Sequence, residues 1–350
     1  MTPLAHLLKR HRDNHPDMQV QDAVKFLHQH FCGPGHLITH HQDILARVEQ
    51  ELTCTSPQTV SQPFEVLGNG LCRLDLGVCK ANGLSAQTIA RLLVLTANTF
   101  SADTQGLAAS LELVYDLGFD RSEADVFLNQ YCAQGCPMVS HSQAYRDAYH
   151  PAYRVVYEYY ARLLPVLCAI DRGRKEHHAP FRVAIDGPCA SGKSTLGAAL
   201  AEIYQCPLIH MDDFFLRPEQ RTPERLAQPG GNVDYERFAQ EVIAPMIDGR
   251  TITYRPWRCG EGSYGPEISI LPSPIIITEG SYSLREDLRD AYHLRVWTQA
   301  DRSSRYRRLL ERGGEACLKQ FETQWIPLED AYFTHQRVSQ CCHIHLDLSD

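Results

Sequence analysis

This sequence of 350 residues has no long apolar segment and no net positive charge. No stretch approaches the ~18 apolar residues that a membrane-spanning helix needs. The start of the chain, MTPLAHLLKRHRDNHPD, has an apolar run that is too short for the core of a secretory signal peptide. A formal net charge of −8 argues against a generally basic nucleic-acid-binding protein, although it leaves room for a local basic patch. We therefore expect a cytoplasmic protein with no membrane partner.

The 13 cysteines are numerous but scattered, with no tight disulfide framework. In a cytosolic chain we expect most of them to be reduced and to pack as small apolar side chains. Cys132 and Cys136, in YCAQGCP, have a spacing that suggests a metal site, but no second pair completes it. Cys341 and Cys342 precede HIHLDL, which alternates like a strand and would place its two histidines on one solvated face. We favour a structural role over zinc binding for both pairs.

The two halves of the chain have different hydrophobic patterns. Up to about residue 170, apolar residues recur at intervals of three and four, as in VQDAVKFLHQHF and AQTIARLLVLTANTF, which predicts helices. AYRVVYEYYARLLPVLCAI predicts a long helix disturbed by Pro165. After DRGRKEHHAP, a predicted linker at residues 171–180, short β-branched runs alternate with helical segments. This alternation predicts a parallel sheet with helices on both faces, so we expect a mainly α-helical domain at 1–170 and an α/β domain at 181–350.

The sequence GPCASGKS, residues 187–194, fits the phosphate-binding pattern G-x-x-x-x-G-K-[ST]. A predicted strand, FRVAID, precedes it and a predicted helix follows it, as this loop requires. Its glycines allow backbone N–H groups to surround phosphate oxygens, and the helix N-terminus adds positive charge. Lys193 would reach the β- and γ-phosphates during catalysis, and Ser194 would ligate Mg²⁺. The predicted ATP-binding residues are Gly187, Ala190, Ser191, Gly192, Lys193, Ser194 and Thr195.

Two other nucleotide-related motifs are missing from the sequence. There is no N-K-x-D motif for reading guanine and no segment like LSGGQ. These absences argue against a switch GTPase and an ABC-type ATPase.

Two predicted strands end in carboxylates at the sheet edge where ligands bind. The first delivers Asp212 and Asp213, in HMDDFF. Either could take a proton from a substrate hydroxyl or hold that hydroxyl in line, or could instead cap the following turn. The second strand, PIIITEG, delivers Glu279. We expect Glu279 to ligate Mg²⁺ directly or through water, unless it merely ends the strand.

The second half of the chain resembles the uridine kinase branch of P-loop kinases, which includes nicotinamide riboside kinase, pantothenate kinase and phosphoribulokinase. The segments that carry the resemblance are IDGPCASGKST, HMDDFF, GGNVDYERF, ITYRPW, IIITEGSYSL and ADRSSRYRRLLERG. HMDDFFLRPE is most similar in sequence to the nicotinamide riboside kinases, whereas NVDYERF is more similar to the ribose-holding segment of uridine kinases. RCGEGSYGPEISILPS departs from the pattern and has no recognisable base-reading signature.

The resemblance implies roles for several residues. Asp212 would face the acceptor hydroxyl and would also ligate Mg²⁺ together with Ser194 and Glu279. Asp234 would match the acid that bonds ribose hydroxyls, and Tyr254 would match a side chain near the acceptor. Both could instead be surface residues in loops.

The resemblance also implies an arginine-bearing lid that closes over the phosphates and stabilises the transferring charge. The candidate lid arginines are Arg302, Arg305 and Arg308, with Arg307 and Arg312 in the same helical stretch. The alternative is a solvated basic face, partly paired with Asp301 and Glu311.

The first half of the chain does not reveal its chemistry. Five histidines, His28, His30, His36, His40 and His41, cluster around Gly33-Pro34-Gly35; they could hold a metal or phosphate, or serve as exposed or capping groups. His141 and His150 flank a serine- and tyrosine-rich segment that is a candidate catalytic or binding region. Tyr149, Tyr153 and Tyr157 recur every four residues, which predicts one packing face of a helix.

These observations favour an ATP- and Mg²⁺-dependent kinase that phosphorylates a hydroxyl of a small molecule, namely a nucleoside or a related riboside. The alternative is a nucleotide-gated regulatory or binding protein whose helical domain recognises a partner. In a third interpretation, both halves are enzymes that catalyse successive steps.

Overall fold

The computed structural model describes residues 2–35, 41–59, 62–177 and 180–349, without the side chains of residues 41 and 42. The chain divides into two compact units, Met1–Cys168 and Ala169–Asp350. No helix among the described residues is long and apolar enough to cross a membrane.

The N-terminal unit is mainly helical, as predicted, but it also contains a three-stranded antiparallel sheet. Its helices are α1 (Pro3–Asn14), α2 (Val20–Cys32), α3 (His41–Cys54), α4 (Leu76–Ala81), α5 (Ala86–Thr99), α6 (Thr104–Ser110), α7 (Arg121–Ala133), α8 (Gln143–Tyr149), α9 (Glu158–Arg162) and the start of α10 (Leu164–Glu176), with a 3-10 helix at Leu111–Leu117. Its strands are β1 (Phe64–Gly68), β2 (Leu71–Asp75) and β3 (Tyr153–Tyr157), paired in the order β1-β2-β3.

The sheet begins with a tight hairpin that the periodicity of the sequence does not reveal. Gly68, Asn69 and Gly70 all have positive φ angles, of 85°, 56° and 74°. An Asn-Gly pair between two apolar runs favours this turn because both positions tolerate left-handed backbone. Apolar side chains of α2, β1 and β2 then pack into one core, which includes Val24, Leu67 and Leu71.

The predicted long helix from Ala152 is wrong in its first part. Residues Tyr153–Tyr157 form β3, which pairs antiparallel with β2, and helix begins again at Glu158. Tyr149 lies at the end of α8, so the three tyrosines spaced by four do not form one helical face. The run Tyr-Arg-Val-Val-Tyr is rich in aromatic and β-branched side chains, which fit a half-buried strand better than a helix.

The structure also differs from the prediction at residues 171–180, where the expected linker is helical over most of its length. Helix α10 continues to Glu176, and Arg174 and Lys175 lie in its last turn, where cations interact favourably with the helix dipole. Asp171 is buried and accepts a hydrogen bond from the Tyr204 hydroxyl at 3.2 Å. Residues 178 and 179 lie outside the described residues.

The C-terminal unit is an α/β domain built on a parallel sheet, as predicted. Its strands are β4 (Phe181–Asp186), β5 (Leu208–His210), β6 (Ile252–Tyr254), β7 (Trp257–Arg258), β8 (Ser263–Tyr264), β9 (Ile268–Ile270), β10 (Ile275–Glu279), β11 (Leu294–Gln299) and β12 (Ile344–Asp347). Its further helices are α11 (Lys193–Tyr204), α12 (Pro223–Leu226), α13 (Tyr235–Phe238), α14 (Ala244–Ile247), α15 (Arg302–Gln320) and α16 (Ile326–Gln336). HIHLDL contains β12, so its predicted strand is confirmed.

Five strands pair in the parallel order β12-β11-β4-β10-β5, and two small antiparallel pairs, β6-β9 and β7-β8, stand apart from this sheet. Strand β10 lies between β4 and β5, with Glu279 paired to Ile185 on one side and to His210 on the other. The carboxyl ends of these three strands therefore meet at one edge of the sheet, which is where α/β domains bind ligands.

Two buried histidines of the N-terminal unit are held neutral. Burial, aided by the nearby Arg73 charge, lowers the pKa of His11 from 6.5 to about 4. Burial likewise lowers the pKa of His141 to about 4, against the opposing effect of its hydrogen bond to Asp22. In the unfolded chain a histidine protonates near pH 6.5, so the unfolded state binds more protons between pH 6.5 and 4. Stability conferred by the neutral histidines is therefore present above pH 6.5 and lost as the pH falls towards 4.

We expect the free energy of unfolding of the N-terminal unit to fall by about 1–2 kcal/mol per buried histidine between pH 7 and pH 5. Urea denaturation of the full chain, followed by circular dichroism, measures this loss. In His11→Gln the loss should be smaller, whereas in His6→Gln, which changes an exposed histidine of α1, it should match the wild type. An identical pH dependence in His11→Gln and wild type would contradict the assignment.

Candidate functional site

The loop between β4 and α11 has a backbone that only glycine allows at two positions. Gly187 has φ 152°, and a Cβ built on it would lie 2.2 Å from the carbonyl oxygen of Thr298. Gly192 has φ 98° and directly precedes the first residue of α11, Lys193. The loop therefore curls tightly at the end of β4 and presents the start of a helix. The first N–H groups of a helix have no intrahelical acceptor, so they are available to an anion.

The side chain of Lys193 folds back onto this loop. Its Nζ donates hydrogen bonds to the carbonyl oxygens of Gly187 at 2.8 Å and Pro188 at 2.9 Å, and the residue is buried. Ser194 and Thr195, the next two residues, are exposed. Ser191 is instead turned inwards, and its hydroxyl lies 2.7 Å from that of Thr298. The loop thus combines a fixed cation with accessible hydroxyl groups on the first turn of α11.

Asp186, a buried carboxylate that the sequence motifs did not single out, stabilises the loop through hydrogen bonds. Asp186, the last residue of β4, accepts hydrogen bonds from the N–H groups of Gly187 at 2.7 Å and Leu284 at 2.9 Å, and from the Tyr332 hydroxyl at 2.8 Å. Burial raises the pKa of Asp186 to about 6, although these hydrogen bonds and Lys193 oppose the shift. The only sequence signal for Asp186 is an acid at the end of a mostly apolar strand.

A second missed acid, Glu329, reaches the loop from α16. Its carboxylate accepts the N–H of Cys189 at 2.8 Å and the Ser281 hydroxyl at 2.6 Å. Tyr332, three residues later, supplies the hydrogen bond to Asp186 described above, so one face of α16 contacts both the strand end and the loop. No local motif marks Glu329, because its partners are distant in sequence.

The structure brings together Ser194 and Glu279, two of the three residues predicted to ligate Mg²⁺; the third, Asp212, lies in the turn after β5. Glu279 ends β10, is buried, and accepts a hydrogen bond from Ser194 Oγ at 3.1 Å. Its other oxygen lies 2.5 Å from Nδ1 of His210, and this hydrogen bond raises the pKa of His210. A hydroxyl and a carboxylate beside a phosphate-binding loop are the hard oxygen donors that Mg²⁺ prefers, so these residues fit such an ion.

Asp212 and Asp213 lie in the turn that follows β5, and they differ in what they contact. Asp213 accepts a hydrogen bond from the buried Tyr254 hydroxyl at 3.1 Å. Asp212 accepts none from the described residues and is open to solvent. The surrounding walls desolvate its carboxylate and raise the pKa of Asp212, Lys193 opposes this shift, and Glu279 adds to it. Asp212 is therefore a free carboxylate within electrostatic reach of both the loop lysine and the candidate metal ligand.

Asp234 and Tyr254, the predicted substrate-binding residues, are buried rather than on the surface. Asp234 caps α13 by accepting the N–H of Arg237 at 3.2 Å, and it accepts a second hydrogen bond from Gln220 Nε2 at 2.7 Å. Both of its oxygens therefore already have protein partners. A ribose could bond to Asp234 only by displacing one of them.

The predicted lid arginines make different contacts. Arg305 donates to the carbonyl of Cys189 at 2.9 Å, and Arg308 donates to that of Ala190 at 3.0 Å, so both contact the phosphate loop. Arg302 instead lies 3.8 Å from Glu322 and is largely exposed, so the structure does not place it at the loop. Among the neighbouring arginines, Arg307 pairs loosely with Glu311 at 3.9 Å, as the solvated-face alternative expects. Arg312 lies close enough to oppose the raised pKa of Asp212.

The cysteine pairs do not belong to a metal-ligating cluster within the described part of the chain. All 13 cysteines are free thiols. The described groups that have ligand atoms close enough for an ion are His11, His15 and Glu65. Arg73 Nη1 lies 3.3 Å from His11 Nε2, and its positive charge disfavours a cation there.

The predicted histidine sites of the N-terminal unit are scattered. His28 is buried, and His30 bonds through Nδ1 to the carbonyl of Leu67 at 2.8 Å. His150 ends α8 with φ 44°, which is a capping conformation. His36, His40 and the side chain of His41 lie outside the described residues. His141 contacts a buried carboxylate, that of Asp22, at 2.8 Å.

Solved structures are similar to about half of the chain. A "possible uridine kinase" from Bacillus stearothermophilus is 17% identical, with 52% of this chain and 100% of that chain covered at a TM-score of 0.39. A "putative fructose transport system kinase" from Silicibacter sp. TM1040 is 19% identical, with 51% and 97% covered and a TM-score of 0.42. Shikimate kinase from Bacteroides thetaiotaomicron is 19% identical, with 47% and 83% covered and a TM-score of 0.23. No protein-family model matches the sequence.

The C-terminal unit is a P-loop α/β domain, so the fold that the resemblance implies for this half of the chain is confirmed. The parallel sheet, the loop between β4 and α11, and the acid that ends the adjacent strand β10 define this class. At these identities the similarity concerns the fold alone.

The close approach of Gly187 to Thr298 gives a direct test of the loop. In Gly187→Ala the added Cβ would collide with the Thr298 carbonyl, so the loop must shift, and we expect ATP to bind at least about tenfold more weakly. Isothermal titration calorimetry with full-length protein measures this change. The matched control is Gly260→Ala, since a Cβ at Gly260 meets nothing within 4 Å. Unchanged ATP affinity in Gly187→Ala would contradict a role for this loop in nucleotide binding.

Proposed function

We propose that the C-terminal unit is an ATP- and Mg²⁺-dependent phosphotransferase of the cytoplasm that phosphorylates a hydroxyl group of a small molecule. The observation that carries this proposal is the convergence of a loop lysine, a hydroxyl–carboxylate pair and a free carboxylate at one sheet edge. These groups are Lys193, Ser194 with Glu279, and Asp212. This set matches the needs of phosphoryl transfer, in which the protein mainly positions the reactants and stabilises charge.

The phosphates of ATP fit the loop and the start of α11. The free N–H groups at the start of α11 would donate to phosphate oxygens, and Lys193 would exchange its bonds to loop carbonyls for bonds to phosphate. Ser194 and Glu279 would hold Mg²⁺, which when bound neutralises charge on the β- and γ-phosphates. Arg305 and Arg308 lie over the loop and would add positive charge on the side of α15.

We assign to Asp212 the role of accepting a hydrogen bond from the hydroxyl of the acceptor. Its carboxylate has no protein hydrogen bond to break among the described residues, so it is free to accept one from a substrate hydroxyl. Desolvation by the surrounding walls and the nearby Glu279 charge raise the pKa of Asp212, which makes its carboxylate a stronger base than an isolated one. Asp213 is less suited to this role because Tyr254 already donates to it.

For the acceptor itself we propose a nucleoside or a related riboside, on the resemblance of the segments around Asp234 and Tyr254 to those of uridine kinases. Buried polar groups in this region could meet sugar hydroxyls if Gln220 moves off Asp234. Incubating full-length protein with ATP, Mg²⁺ and a panel of nucleosides and ribosides tests this proposal. A kinase forms ADP only when its acceptor is present, and mass spectrometry identifies the product. A nucleotide-gated regulator would bind ATP without any acceptor-dependent ADP.

The difference between the two neighbouring carboxylates gives a matched pair of variants. Asp212→Asn removes the base while preserving shape, so we expect acceptor phosphorylation to fall by about 100-fold or more. ATP affinity should change little, because the loop is intact. Asp213→Asn should have a smaller effect on the rate. Steady-state kinetics with the best acceptor of the panel measures both, and an undiminished rate in Asp212→Asn would rule out its assigned role.

A further inference from the structure

His210 ends strand β5 directly beside Glu279, the last residue of β10. The two residues are partners in the parallel register of the sheet. Residues paired in this way have their side chains on the same face of the sheet, so the imidazole and the carboxylate meet there. Nδ1 of His210 lies 2.5 Å from Oε1 of Glu279. Because an ionised carboxylate can only accept a hydrogen bond, the proton lies on Nδ1 and the imidazole is the donor.

Helix α11 covers this face of the sheet and fixes the stem of the Glu279 side chain. A Cβ built on Gly197 of α11 would lie 3.0 Å from Cγ of Glu279 and 3.1 Å from Cδ1 of Leu208. The absence of a side chain at Gly197 therefore lets the helix lie close against both strands. Glu279 is only 4% exposed, so its stem has little room to move. Its terminal carboxylate is less restricted, because the last torsion of a glutamate has no sharp staggered minima.

The two oxygens of Glu279 have different partners, and these partners set that last torsion. Oε1 accepts from His210, whereas Oε2 accepts from Oγ of Ser194 at 3.1 Å. Since His210 already occupies Oε1, the oxygen that remains for Mg²⁺, or for a water bound to it, is Oε2. His210 therefore decides which edge of the carboxylate faces the candidate metal ligand on α11.

Stability gives only a weak reason for this pair. The side chain of His210 is 45% exposed, so solvent screens its attraction to Glu279, and ion pairs of this kind contribute little to the free energy of folding. Strand β5 lies at one edge of the five-stranded sheet, which leaves part of the imidazole facing solvent. A donor on the second oxygen of a ligand carboxylate has a larger effect on metal binding, because it holds the first oxygen in place; loss of such a donor typically weakens metal affinity about 10–100-fold.

We propose that His210 is a positioning residue for the Mg²⁺ site, whose Nδ1–H holds Oε1 of Glu279 and so directs Oε2, the oxygen beside Ser194, to the ion. The inference rests on the proposed function, because it needs nucleotide and Mg²⁺ to bind at this sheet edge. It needs no contact between His210 and ATP or the acceptor. Loss of His210 should therefore weaken the contribution of Mg²⁺ to nucleotide binding and leave binding without Mg²⁺ unchanged.

Two substitutions of His210 test the hydrogen bond itself. His210→Leu keeps much of the side-chain volume but cannot donate, whereas the amide of His210→Asn can place an N–H near the position of Nδ1. Calorimetry with full-length protein measures the affinity for adenylyl imidodiphosphate, a non-hydrolysable ATP analogue, at one pH with Mg²⁺ and with EDTA. We expect His210→Leu to reduce the gain in affinity due to Mg²⁺ by at least about tenfold, with the affinity in EDTA as in the wild type. His210→Asn should retain most of the gain.

The control variant is His345→Leu, which changes an exposed histidine of β12 and should match the wild type under both conditions. A loss confined to His210→Leu cannot come from general destabilisation, since His210→Asn alters the same position. The proposal is overturned if His210→Leu keeps the full gain, if it loses as much affinity in EDTA as with Mg²⁺, or if His210→Asn loses the gain to the same extent. Failure of the proposed function gives a different result: wild-type protein that binds no analogue, or binds it equally with and without Mg²⁺, overturns both the metal site and the role of His210.

Discussion

The candidate phosphotransfer site depends on the parallel pairing of β4 with β10. This pairing sets Glu279 opposite Ile185, and so brings its carboxylate to 3.1 Å from the hydroxyl of Ser194 on the far side of the loop. A strand inserted between the two would separate the phosphate-binding loop from the acid by about 5 Å, the spacing of adjacent strands. Strand β5 follows on the other side of β10 and carries Asp212 to the same edge. The topology of the sheet therefore assembles lysine, hydroxyl and carboxylates that are far apart in sequence.

Helices α15 and α16 complete the site from the end of the chain. Glu329 and Tyr332 of α16 bond to the loop N–H of Cys189 and to the buried Asp186, while Arg305 and Arg308 of α15 bond to loop carbonyls. The N–H and C=O groups of one short loop are thus held by opposite charges from two consecutive helices. Because α15 has non-helical backbone at Gly313 and Gly314, its two parts need not move together.

Sequence patterns predicted those parts of the fold and site that are encoded locally. The loop at residues 187–194 and the acids that end β5 and β10 follow from short motifs flanked by apolar runs, and the structure brings them together. Asp186 and Glu329 escaped prediction because their partners lie as far as 146 and 140 residues away. The helix predicted across Tyr153 was wrong because periodicity at intervals of four outweighed the β-branched composition of the segment, and the pairing that stabilises β3 is with β2. Arg302 shares a motif with Arg305 and Arg308, but its guanidinium lies near Glu322 rather than at the loop.

Local sequence patterns predict even less of the N-terminal unit, because Asp22, Arg73 and His141 come together only through tertiary packing. The central claim, however, concerns the C-terminal unit, and oxygen-isotope transfer tests it most directly. ATP labelled with ¹⁸O at the three non-bridging γ-oxygens is incubated with full-length protein, Mg²⁺ and the acceptor, and the products are analysed by mass spectrometry. The account predicts an acceptor phosphate that carries all three labelled oxygens, with its bridging oxygen from the acceptor hydroxyl. Labelled inorganic phosphate formed at the same rate with or without acceptor, and an unmodified acceptor, would contradict it.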